Sequence, residues 1–232
     1  GDVYKRQAFT MRDSYRDELN ATTELIVTVA GLVRTAVQDA TTALVTADLT
    51  VAERVISGDA RIDELTKEIE QRSFQLLARQ APVAGELRTV VAVLRMSYSL
   101  DRMGDLAAHI AKIARLRYPE VAAPEPIADQ IKQMAETADS MIATAITTLE
   151  NRDAEAAAGL ATADSKMDEL RSDQFHLLLS DDWEYGVEKA VDTALLGRYY
   201  ERIADHAVAM GARTIYIVTG EAPEGENWPS SF

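Results

Sequence analysis

The chain has 232 residues, of which 47% are hydrophobic and none is cysteine, so it can bury a core but cannot form disulfides or thiolate metal sites. Its formal net charge of −14 argues against nucleic-acid binding through phosphate contacts and against adhesion to anionic lipid headgroups. No signal peptide and no apolar run of about 18 residues is visible, which predicts a cytoplasmic protein without direct membrane insertion.

The first half of the chain carries three helical patterns. Residues 1–10 precede Met11 without helical periodicity, and we interpret them as a leader or an artificial extension. Apolar residues then recur with helical spacing, and Asp48 is a suitable N-cap for the second helix. Helices are predicted at 13–46, 49–80 and 86–117. Three prolines break the pattern and predict a linker at 119–126.

The second half repeats this pattern. Asp153 is the expected N-cap of the fifth helix, Asp181 and Asp182 are expected to open the sixth, and Gly220 is expected to end it. Helices are predicted at 127–150, 154–180 and 181–219. The remaining residues, 221–232, are rich in Pro, Gly and Ser and are expected to form a flexible tail.

Motifs return after about 100 residues, which indicates an internal duplication. Asp48 and Asp63, for example, recur as Asp153 and Asp168. Three helices joined by short turns favour an up-down-up bundle. The predicted fold class is therefore all-α, with two tandem pseudo-symmetric three-helix bundles at 11–118 and 127–220. We expect the bundles to lie in line, in an elongated molecule.

Two acidic residues with i, i+4 spacing occur at the same place in the third helix of each repeat. They are Asp101 and Asp105 in the first repeat and Glu201 and Asp205 in the second. This spacing places both carboxylates of a pair on one helix face. The helical phase sets that face opposite the apolar residues around Met103 and Ile203, so we expect the acids on the outside of the bundle.

The second helix of each repeat offers a further pair, Asp59 with Asp63 and Asp164 with Asp168. Neighbouring helices lie about 8–10 Å apart, so facing carboxylates can share a cation. We predict two pseudo-symmetric metal sites, and their ligands are Asp59, Asp63, Asp101 and Asp105 in one and Asp164, Asp168, Glu201 and Asp205 in the other. Oxygen ligands suit Mg, Ca, Mn or iron, and zinc only with an added histidine. No organic cofactor is predicted.

The chain resembles the PhoU family of phosphate-transport regulatory proteins. The resemblance rests on the duplicated unit, on the stretches Asp101–His109 and Glu201–Ala207, on Asp59–Leu65 with its echo Asp164–Leu170, and on Pro82–Arg88. Asp101 is one methylene shorter than the usual Glu of the motif, and Ala204 stands where Gly is usual.

The resemblance implies two three-helix bundles whose acid motifs bind metal clusters on the bundle surface in some members. It also implies a negative regulator of the phosphate-starvation response. Such a regulator couples the subunits of the high-affinity phosphate ABC transporter to a sensor histidine kinase. A homodimer is left open.

Other interpretations of the same residues remain. The acid pairs are also compatible with an ordinary solvated face neutralised by Arg102 and Arg202, in a metal-free helical adaptor. A carboxylate-bound iron protein with redox activity is a weaker alternative, because the chain contains no Glu-x-x-His motif of the ferritin-like type. A phosphate-binding glycine loop and a nucleophile with a nearby base are also missing, so we do not expect an enzyme.

Overall fold

Six helices form the fold in a computed structural model, which describes residues 2–79, 82, 84–223 and 225, with only the backbone described for 2–10. The helices are α1 (Asp2–Thr46), α2 (Leu49–Arg79), α3 (Gly85–Arg117), α4 (Ile127–Asn151), α5 (Ala154–Leu178) and α6 (Gly186–Thr219). The described residues contain no β-strand, and none of their helices is long and apolar enough to cross a lipid bilayer. The predicted all-α fold is confirmed.

The sequence identified the helix ends well where a capping residue is present. Asp48 Oδ1 accepts a hydrogen bond from the Val51 amide at 3.0 Å, and Asp153 Oδ1 accepts one from the Ala156 amide at 2.9 Å. These bonds satisfy amides that the first turn of a helix leaves without a partner. Gly220 ends α6 with a φ of 79°, a conformation that glycine adopts without steric cost.

Two helix starts differ from the prediction. Helix α1 begins at Asp2 rather than near residue 13, because no Gly or Pro occurs between residues 2 and 30 to stop it. Helix α6 begins at Gly186 rather than at Asp181. The intervening residues form a turn in which the Trp183 ring N–H donates to the Gly186 carbonyl at 2.9 Å. Whether residues 1–10 are a leader remains a prediction, and most of the predicted tail, at 224 and 226–232, lies outside the described residues.

The two bundles pack side by side, so the expected in-line arrangement is wrong. Helix α1 contacts α4 and helix α3 contacts α6, which means that corresponding helices of the two repeats meet each other. The Arg34 guanidinium donates to both oxygens of Asp139 across the α1–α4 contact, at 2.8 and 2.9 Å. Buried apolar side chains from all six helices then form one continuous core. This arrangement leaves α2 and α5 on opposite outer sides of the molecule.

Candidate functional site

Four carboxylates gather along the seam between α2 and α3, and we call them the first cluster: Asp59, Asp63, Asp101 and Asp105. Close approach of the helices depends on Gly104, since a Cβ there would lie 2.9 Å from Asp59 Oδ1 and 3.1 Å from Ile62 Cγ2. Burial raises the pKa of Asp59, and repulsion from Asp105 and Asp101 raises it further. The first cluster therefore carries concentrated negative charge in a partly dehydrated seam.

The equivalent seam between α5 and α6 holds the second cluster: Asp164, Asp168, Glu201 and Asp205. Burial, followed by repulsion from Asp205, Asp168 and Glu201, raises the pKa of Asp164 from 3.8 to about 6. Asp164 Oδ1 is shielded from solvent and accepts no hydrogen bond from any residue that the structure describes. A buried acceptor of this kind is costly unless a cation, a proton or water satisfies it.

The two clusters differ in the cations that touch them. In the second cluster, Glu201 Oε2 lies 3.3 Å from Arg171 Nε and 3.0 Å from Arg198 Nη1. The Arg171 side chain is only 11% exposed and stacks on the Phe175 ring at 4.4 Å. Burial lowers the pKa of Arg171, while Glu201 opposes that effect. Arg171 is thus a counterion for the second cluster, and burial and the contact with Phe175 fix its position.

In the first cluster, the residue that corresponds to Arg171 is the neutral Thr66. Its hydroxyl donates to Asp101 at 3.2 Å, while Asp101 occupies the place that Glu201 has in the second cluster. The cations of the first cluster bind other members, because Lys67 pairs with Asp63 at 2.7 Å and Arg102 pairs with Asp105 at 3.0 Å. Asp101 is therefore held by a hydroxyl group, whereas Glu201 is held by two guanidinium groups.

The structure thus gathers all eight predicted acids into the two predicted groups. Six of them are partly buried, and Asp168 and Asp205 are exposed. None of the eight is buried in the core, which agrees with the position outside the bundle expected for the acids of the two motifs. They lie at the rim of a helix seam, where each side chain has one apolar and one solvated side. Thr66, Arg171 and Arg198 were not predicted from the sequence as members of these sites. Thr66 and Arg171 follow Asp63 and Asp168 by three residues. This spacing places each of them on the same helix face as the acid, so it could have predicted that they lie beside the clusters.

The donor chemistry fits a hard cation, although the side chains do not yet enclose one. Carboxylate oxygens are the ligands that Mg, Ca, Mn and iron prefer, and the unsatisfied Asp164 Oδ1 is a ready donor. Among the side chains that the structure describes, however, no three acidic or histidine groups converge closely enough to hold an ion. Binding at either cluster requires rotation of the carboxylates toward a common point, and at the second cluster also separation of Glu201 from its arginines.

The histidines of the two motifs differ in their surroundings. His109 is exposed, its Nδ1 lies 2.6 Å from the Asp105 carbonyl, and its ring contacts the Tyr199 ring at 5.6 Å. His206 is half-buried, and burial, with a smaller contribution from Arg202, lowers its pKa. The two are not equivalent, and neither joins a group that encloses an ion among the described residues.

Comparison with known proteins identifies relatives along nearly the whole chain. Residues 26–114 and 131–214 match the family model described as PhoU domain. The phosphate-specific transport system accessory protein PhoU homolog 1 of Mycobacterium leprae is 41% identical over 221 residues, which are 95% of this chain and 100% of the relative. PhoU homolog 2 of Mycobacterium tuberculosis is 42% identical over 213 residues, with coverage of 92% and 100%.

Two solved structures that resemble this chain also belong to PhoU proteins. The crystal structure of PhoU from Pseudomonas aeruginosa superposes with a TM-score of 0.84 at 26% identity, and covers 89% of this chain and 100% of that one. The phosphate transport system regulatory protein PhoU from Streptococcus pneumoniae gives a TM-score of 0.82 at 26% identity, with coverage of 90% and 99%. The family that the motifs indicated is therefore confirmed, and so is the fold of two tandem bundles.

Proposed function

The chain belongs to the PhoU family, and on that premise we propose that it is a cytoplasmic accessory protein that represses the phosphate-starvation response. In this role it couples the subunits of a phosphate ABC transporter to a sensor histidine kinase. The observation that carries the proposal is 41% identity over 95% of the chain to a phosphate-specific transport system accessory protein. The alignment spans both repeats, so it includes both clusters and the contact between the bundles.

The shape of the molecule supports an adaptor rather than a catalyst. Two bundles that share one core form a single stiff body, and such a body can hold two partners at a defined separation. The outer helices α2 and α5 carry acidic seams on opposite sides, which suits contact with basic surfaces of two different proteins. The proposed function is therefore the binding of two partner proteins.

Binding to purified partners tests the adaptor role. The full chain is mixed with the ATP-binding subunit of the phosphate transporter and, separately, with the cytoplasmic part of the kinase, and complexes are detected by analytical ultracentrifugation. The ATP-binding subunit of an unrelated transporter from the same cell is the matched control. We expect complexes with the first two proteins and none with the control. If the chain binds neither partner, or binds all three equally, the proposed role is wrong.

We also propose that each cluster binds a metal ion, with iron, Mg, Mn, Ca or Zn as candidates. Asp59, Asp63, Asp101 and Asp105 would hold one ion, and Asp164, Asp168, Glu201 and Asp205 the other. A bound ion would supply positive charge that links two neighbouring helices. The support is the unsatisfied Asp164 Oδ1, together with the burial and the mutual repulsion that raise the pKa of Asp59 and Asp164.

Metal content per chain tests the second cluster. Protein purified without chelator is analysed by elemental analysis for the wild type, for Glu201→Gln/Asp205→Asn, and for the control Glu169→Gln/Asp173→Asn. The control removes two exposed acids with the same spacing from α5, outside the cluster. We expect the first variant to lose metal and the control to keep it. Unchanged metal content in the first variant would end the proposal for this cluster.

A metal-free adaptor is the second candidate, and one observation favours it. Arg171 and Arg198 already neutralise Glu201, so the second cluster has counterions without a metal. Wild-type protein that carries no metal, yet binds both partners, would establish this alternative.

A further inference from the structure

A cavity of about 470 Å³ lies where the two repeats meet, away from both clusters. The first repeat contributes the α1 residues Arg12 and Arg16 and the start of α3 at Gly85 and Glu86. The second repeat contributes Arg152, which ends α4. Three exposed arginine residues from the two repeats therefore line one cavity.

The charge of the cavity is opposite to that of the protein. Its lining contains three arginines and a single carboxylate, Glu86, which Arg16 Nε already contacts at 3.2 Å. Within the described part of the chain, neither Arg12 nor Arg152 forms an ion pair. The whole chain has a net charge of −14, with 38 acidic residues available as partners. An uncompensated positive site on such a surface favours an anionic ligand.

The fold itself does not require an arginine at this place. Arg152 adopts left-handed backbone angles, with φ of 52°, and Ala47 makes the same turn in the first repeat with φ of 55°. The next residues, Asp153 and Asp48, cap α5 and α2 in the same way. Since alanine suffices for the turn in the first repeat, the turn does not require the Arg152 side chain, which can therefore contact a ligand in the cavity.

The start of α3 adds polar groups that suit an anion. Ala84 and Gly85 line the cavity, and Ala84, which occupies the N-cap position, has no side-chain oxygen to accept from the first-turn amides. Helix N-termini carry partial positive charge and bind phosphate groups through their N–H groups. Arginine presents a planar fork that matches two oxygens of a phosphate.

We propose that this cavity binds a phosphate group, either as inorganic phosphate or as part of a small phosphorylated metabolite. The volume lies within the range of about 300–1,000 Å³ that is usual for small-molecule sites, which leaves room for an organic part beside the phosphate. The ligand would contact α1 and α3 of one repeat and the end of α4 of the other, and so would strengthen the contact between the repeats. The site is independent of the two carboxylate clusters.

Isothermal titration calorimetry with the full chain tests the site, and inorganic phosphate, ATP and sulfate are the three probes. The test variant is Arg12→Gln/Arg152→Gln. The control is Arg61→Gln/Arg115→Gln, which removes the same charge from exposed arginines outside the cavity. Circular dichroism verifies that each variant is folded. We expect the test variant to bind phosphate or ATP about tenfold more weakly than the wild type, because it lacks two guanidinium groups that can form charge-assisted hydrogen bonds with the anion. We expect the control to bind within about twofold of the wild type.

The probes distinguish the two sources of the phosphate. Tighter binding of ATP than of phosphate indicates a phosphorylated metabolite, and the reverse order indicates the free ion. Three results would overturn the proposal: no binding of either probe by the wild type, equal affinity in the test variant, or sulfate bound as tightly as phosphate and ATP.

Discussion

Replacement of Asp164 by Asn should stabilise the metal-free protein above pH 6. The pKa of Asp164 is raised from 3.8 to about 6 in the folded chain. Between pH 3.8 and about pH 6, Asp164 therefore keeps its proton in the folded state but has lost it in the unfolded state. The free energy of unfolding falls as the pH rises through this range. Asparagine does not ionise, so the free energy of unfolding of the variant does not fall for this reason.

The size of the effect follows from the shift. A difference of about 2 pKa units corresponds to about 3 kcal/mol, since one unit corresponds to about 1.4 kcal/mol. Asp164 is only half-buried, and water screens part of its interaction with the neighbouring acids, so we reduce the figure to about 1–1.5 kcal/mol. The gain should be absent below about pH 4 and complete above about pH 6.5.

Urea denaturation followed by circular dichroism, at several pH values and with a chelator present, measures this gain. The control is Asp173→Asn, which removes an exposed carboxylate from the same helix outside the cluster and should change stability by less than about 0.5 kcal/mol. A variant that is no more stable than the wild type at pH 7, or a gain that does not grow with pH, would refute the electrostatic account of the second cluster.

Two further predictions concern helix packing beside the second cluster and metal affinity at both clusters. Gly197→Ala should destabilise the protein by about 1–3 kcal/mol in urea denaturation, because the new Cβ would lie 2.0 Å from Gln174 Oε1 and 2.3 Å from Arg171 Nη1. Gly159→Ala on α5, where nothing lies within 4 Å of the new Cβ, should stabilise it by about 0.5–1 kcal/mol, and equal effects of the two changes would contradict the packing described here. If the clusters bind metal, Arg171→Thr should tighten binding at the second and Thr66→Arg should weaken it at the first, as measured by calorimetry with Mn. Affinities that stay the same in both variants would show that these two residues do not set the difference between the clusters.

Sequence periodicity was enough to predict six helices, because their apolar stripes and their caps are local signals. Asp48, Asp153 and Gly220 each satisfy backbone groups of their own helix, so their roles can be deduced without tertiary contacts. The internal repeat added long-range information. It predicted that α2 meets α3 as α5 meets α6, and so brought the eight acids into the correct two groups.

Other features depended on contacts that no local pattern specifies. An apolar stripe predicts that one face of a helix is buried, but it does not specify which other helix packs on that face. The sequence therefore did not reveal that α1 packs on α4 and that α3 packs on α6. The start of α6 was misplaced because Asp181 and Asp182 resemble capping residues, whereas the Trp183 ring instead bonds to Gly186 in a turn. The role of Arg171 follows from its burial against Phe175, which only the folded chain defines.

The most direct test of the proposed regulatory role is the activity of a phosphate-responsive promoter in cells that lack the gene. The strain carries a reporter for that promoter and is grown in abundant phosphate, with and without a plasmid that encodes the full chain. We predict that the promoter is active in the deletion strain and is repressed again when the chain is supplied. A promoter that stays repressed after deletion would contradict the assignment of this protein as a negative regulator of the phosphate-starvation response.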